Sequence, residues 1–116
     1  MTDFSVNEML TWQRQMMEAH PEWMEDRPEY GAHKLLWTVG EIGEVIDVLK
    51  KNGASAVMDE PAVRAHFTEE LSDVLMYLSD VLICFGVNAS ELKDAYRAKV
   101  LRHLPEGQEP KEAPTA

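Results

Sequence analysis

The chain of 116 residues holds a single cysteine, Cys84, which excludes an intrachain disulfide framework and a cysteine-rich zinc module. Basic residues are also scarce: 11 Lys and Arg stand against 21 Asp and Glu, for a formal net charge of −10. That balance argues against polymeric nucleic acid, whose phosphates need a basic surface, and against docking on an anionic membrane. No apolar run approaches the roughly 18 residues of a membrane span, and MTDFSVNEML lacks the basic and apolar regions of a secretion signal. A cytoplasmic location is expected. The sequon Asn88-Ala89-Ser90 then reads as helix-capping chemistry rather than glycosylation. A chain this short is one domain or one half of an assembly, and it buries only about two-thirds of its unfolded surface, so a second subunit would help it.

Strand-like alternation is missing, and apolar residues recur every three or four positions, which predicts an all-α protein. A first helix fits 4–19, with Met9, Leu10, Met16 and Met17 among its buried candidates, and ends at His20-Pro21. The acidic stretch from Pro21 to Gly31, including Glu25 and Asp26, reads as a connector with room for one helical turn. A second helix spans 32–51 and stops at Asn52-Gly53. After a connector, Asp59-Glu60-Pro61 opens a third helix over 61–85, with Leu71, Val74, Leu75, Leu78, Leu82 and Phe85 on one stripe and Gly86 closing it. Asn88 and Glu91 form a capping pair for a fourth helix reaching His103. The helical domain covers 1–104, and the Pro/Glu-rich tail 105–116 has too little to bury and is expected to be disordered. Four helices with short connections imply a bundle.

Two acidic pairs break the amphipathic pattern. Glu41 and Glu44 lie within Leu35-Leu36-Trp37-Thr38-Val39-Gly40-Glu41-Ile42-Gly43-Glu44-Val45-Ile46, and Glu70 and Asp73 within a second apolar segment. An i, i+3 spacing puts both members of a pair on one helix face. An ExxE alone is usually a solvated face. Two pairs in apolar surroundings are different, because an unpaired buried carboxylate costs several kcal/mol and calls for a cation or strong donors. Were the helices antiparallel neighbours, all four acids would converge. Oxygen donors without nitrogen or sulfur suit Mg²⁺ or Mn²⁺ rather than zinc. A di-iron bundle would want Glu-x-x-His pairs. Neither pair holds a histidine, and His66 reads as a surface residue. Trp37 and Trp12 could be core or could stack on a base; Tyr77 could orient a ligand carboxylate or simply pack; Asp80 could join the acidic face or be solvated. Cys84, between Ile83 and Phe85, reads as an inert buried thiol.

Glu41-x-x-Glu44 followed by Glu70-x-x-Asp73 resembles the ExxE…ExxD signature of the MazG-like all-α nucleoside triphosphate pyrophosphohydrolases. The segments Gly43-Glu44-Val45, Glu69–Leu78 and Ala95–Arg102 support the likeness, which covers 32–104. Two positions depart from it: Arg102 stands where many members carry asparagine, and Gly40 where some carry glutamate. The resemblance implies a four-helix MazG-like bundle, working as a homodimer or homotetramer with its site near a subunit interface. It implies Mg²⁺-dependent cleavage of a nucleotide between the α and β phosphates, in a house-cleaning role. Glu41, Glu44, Glu70 and Asp73 would hold the metal and Glu41 would serve as general base; Lys99, which matches a family position, and Arg102, on the same face of the last helix, are the candidates for phosphate contacts. Trp37 and Tyr77 complete the expected substrate-binding set. A non-catalytic helical nucleotide-binding module is the alternative.

Overall fold

The computed structural model describes residues 3–23 and 27–114, so Glu25 and Asp26 of the expected connector and the last two tail residues lie outside the described residues. The chain is all-α, with no strand among the described residues. Helix α1 runs Val6–Ala19, a 3₁₀ turn Pro21–Trp23, α2 Pro28–Asn52, α3 Ala54–Asp59, α4 Pro61–Cys84 and α5 Ala89–His103.

Local chemistry sets these ends. The Ser5 hydroxyl accepts from the Glu8 N–H at 3.0 Å and the Glu8 carboxylate from the Ser5 N–H at 3.1 Å, a reciprocal cap that starts α1 at Val6 rather than Phe4. Helix α2 begins four residues before the expected Ala32, because Pro28 supplies a helical φ at the first position and needs no N–H partner. Gly53, at φ +83°, ends α2 and leads directly into α3. That short helix replaces the featureless connector, so there are five α-helices among the described residues rather than four. The Asn88 side chain accepts from the Glu91 N–H at 2.9 Å and opens α5, as the sequon's capping role required.

Helices α2 and α4 form the main pair, with α1 laid on α4 and α3 against both. Gly31 of α2 lies against Phe85, just past the end of α4, where an added Cβ would collide with the ring. The buried apolar set is small: Met17, Val48, Val57, Ile83 and Cys84. Helix α5 has no buried residue, and its Arg97 donates to the tail's Glu109 carboxylate at 3.0 Å.

The α4 stripe is only partly covered within the chain. Leu71, Leu75, Leu78 and Phe85 are exposed, and Val74 and Leu82 only half-buried, while Ser79 and Ile83 take the buried positions. Helix α2 leaves a matching stripe open, with Leu35, Val39, Ile42, Ile46 and Leu49 all exposed at alternating spacings of four and three. The accessible surface is 8999 Å², against about 6,400 Å² for a compact monomer of this mass. No helix among the described residues is long and apolar enough to cross a membrane.

Candidate metal centre and adjoining cavity

Glu41 projects from the middle of α2, and Glu70 and Asp73 stand one turn apart on α4. The packing of α2 on α4 joins them: each offers a carboxylate oxygen, and the three atoms lie within 4.8 Å of one another. All three side chains are half-buried. Partial burial first, then the charges of Asp73, Glu70 and Glu44, push the Glu41 carboxyl above its ordinary value. Glu44, the fourth expected ligand, is exposed and outside this trio, close enough only to add its charge. Three crowded carboxylates are a donor set that fits a hard divalent cation, which relieves their repulsion.

His66 is exposed, as expected, yet its Nε2 lies 3.2 Å from Glu70 Oε1. The i, i+4 spacing carried that signal, and it was passed over because His66 falls outside the ExxD register.

A cavity of about 740 Å³ opens beside the acids, with Asp73 belonging to both. Its walls include Trp23, Tyr30, His33, Trp37 and Tyr77. Trp37 and Tyr77 meet edge to face at 6.2 Å, so this expected pair is brought together at the site. Burial, then the charges of Glu41, Asp80 and Asp73, push the Tyr77 phenol up and keep it a donor at neutral pH. Trp12 does not line the cavity; it stacks on Phe4 at 5.6 Å. Lys99 and Arg102 lie exposed on α5, neither lining the cavity nor reaching the acids within one chain.

Asp80 neither joins the acid trio nor faces open solvent. Gln13 donates to its Oδ1 at 2.6 Å and the Lys34 ammonium lies 3.8 Å from its Oδ2. Burial raises its carboxyl, and these two partners partly offset the rise. Sequence reading missed Gln13 and Lys34. The available signal was positional: Gln13 sits one turn from Met17 on the buried face of α1, and Lys34 two turns before Glu41.

The raised Glu41 carboxyl fixes a pH dependence. Its folded value lies above its ordinary 4.5, so the native state binds the extra proton and stability falls as pH rises through that window. In chelator, Glu41→Gln is expected to be more stable than wild type above the window and to lose that advantage below pH 4.5. Thermal unfolding from pH 4 to 8 checks this; a difference independent of pH contradicts it.

No known family profile matches the chain, and comparisons with curated proteins and with solved structures returned no match.

Proposed function

We propose that the protein is a Mg²⁺-dependent nucleotide pyrophosphohydrolase, cleaving a nucleoside triphosphate between its α and β phosphates to a monophosphate and pyrophosphate. The observation that carries this reading is the convergence of Glu41, Glu70 and Asp73 at the mouth of an aromatic-walled cavity. It adds to the MazG-like pattern of the same residues.

Held by these carboxylates, Mg²⁺ or Mn²⁺ supplies the positive charge that lets a polyanion approach an acidic protein. The remaining work falls to side chains. Glu41, beside Glu70 and Asp73, takes the proton of the attacking water. Tyr77 stays protonated and donates towards the reacting phosphates, and Trp37 stacks on the base. Glu44 acts from outside the trio, orienting its neighbour.

Lys99 and Arg102 need a second copy to serve the phosphates, because α5 stands off the rest of its own chain. Self-association is favoured by the two open stripes on α2 and α4 and by an excess of about 2,600 Å² over a compact monomer, an area typical of homodimers. Pairing two such helix hairpins would close a four-helix bundle.

The test is a panel of nucleoside triphosphates assayed for pyrophosphate. Release is expected with Mg²⁺ and is expected to vanish with chelator. Absence of metal-dependent release across the panel overturns the reading, and binding without turnover would favour the non-catalytic module.

A further inference from the structure

His66, Glu70, Asp73, Tyr77 and Asp80 follow one another on α4 at spacings of four, three, four and three, a continuous row along one helix face. Glu70 and Asp73 belong to the acid trio, and Asp73, Tyr77 and Asp80 line the cavity. His66 closes the row at its N-terminal end, with its Nε2 3.2 Å from Glu70 Oε1. We propose that His66 is a positioning residue of the metal centre, whose imidazole N–H holds the Glu70 carboxylate in place for a divalent cation. This rests on the metal reading of the trio.

The direction of the bond follows from its partners. An ionised carboxylate only accepts, so the hydrogen sits on Nε2 of His66. The neutral imidazole in that tautomer suffices, and no change of charge is involved. His66 is not itself a ligand in this arrangement. The oxygens of Glu41, Glu70 and Asp73 that could share an ion lie within 4.8 Å of one another, and neither His66 nitrogen belongs to that group. His66 therefore acts on an ion through Glu70.

A glutamate reaches an ion through a flexible side chain, and ordering that chain on binding opposes the binding. A partner that already fixes the carboxylate leaves less freedom to lose. Carboxylates that bind metals are themselves hydrogen-bonded for this reason, and loss of such a partner costs about 10–100-fold in metal affinity or activity. Stability alone gives the contact little to do. His66 is 57% exposed against 17% for the Glu70 side chain, and an i, i+4 pair with so open a member adds little to a helix.

The probe is Mn²⁺ alone, titrated into the full chain without nucleotide and followed by electron paramagnetic resonance, where the free ion's signal falls as it binds. His66→Ala is expected to weaken Mn²⁺ binding by about tenfold or more. His66→Gln keeps an N–H donor near the position of Nε2 and is expected to recover the wild-type affinity. Thermal unfolding in chelator is expected to be the same for all three proteins, whereas a merely structural contact would shift the melting temperature and leave Mn²⁺ affinity unchanged. Equal Mn²⁺ affinity of wild type and His66→Ala, a loss in His66→Gln as large as in His66→Ala, or no Mn²⁺ binding by wild type would overturn the proposal. Metal-dependent pyrophosphate release with equal Mn²⁺ affinities would leave the hydrolase standing and the role of His66 refuted. Weaker Mn²⁺ binding by His66→Ala, with recovery in His66→Gln and no release by wild type, would do the reverse.

Discussion

Asp73→Asn is expected to lower metal-dependent pyrophosphate release by on the order of a thousandfold while leaving the helical fold intact. Asn has nearly the same shape, and Asp73 is only half-buried, so packing on α4 is barely disturbed. What changes is charge. Asp73 is the shared member of the acid trio and the cavity wall, so its loss removes an anionic donor where the two adjoin. In chelator the variant should be no less stable than wild type, because the charge that raises Glu41 most among its neighbours has gone. Glu44→Gln is the contrast. Glu44 lies outside the trio, and its replacement should cost only about tenfold, the scale of residues that orient ligands from behind. Steady-state pyrophosphate assays on both variants, with circular dichroism to verify the fold, check the pair. Equal losses would contradict the assignment of three close carboxylates and one remote.

Leu75→Asp is expected to turn an associated protein into a monomer. Leu75 is 44% exposed in the single chain, in line with Leu71 and Leu78 on α4 and beside the open α2 stripe. Burying such a side chain against a second copy is worth about 1.5–3 kcal/mol, and a two-fold interface counts it twice. A carboxylate there loses that contribution and adds desolvation, so dissociation should strengthen by about a hundredfold or more. Light scattering should give a multiple of 13.2 kDa for wild type and a single chain for the variant. A wild-type monomer at micromolar concentration contradicts the shared-interface account.

These two cases also mark what was legible in the sequence. Helix ends written in local chemistry could be read closely, as at Gly53 and Asn88, because a cap needs only its neighbours. Pro28 was the exception: the acidic stretch around it suggested a connector, where this proline in fact begins a helix. The acid trio was legible because i, i+3 spacing on two adjacent helices leaves little freedom. Glu44 shows the limit of that reasoning, since one turn of helix moves a side chain from the shared face to solvent. The apolar stripes were legible as stripes and no further. A three-four repeat says that a face wants covering and is silent on whether the same chain covers it. Leu71, Leu75 and Leu78 lie on one stripe, and the single chain leaves all three exposed. The Gln13–Lys34–Asp80 cluster was least visible, because its members lie up to 67 positions apart and only tertiary packing joins them.

Product analysis tests the central claim most directly. A nucleoside triphosphate incubated with the protein and Mg²⁺ should yield nucleoside monophosphate and pyrophosphate in equal amounts, with neither formed in chelator or by Asp73→Asn. Formation of diphosphate and orthophosphate, or no metal-dependent product at all, would contradict the account.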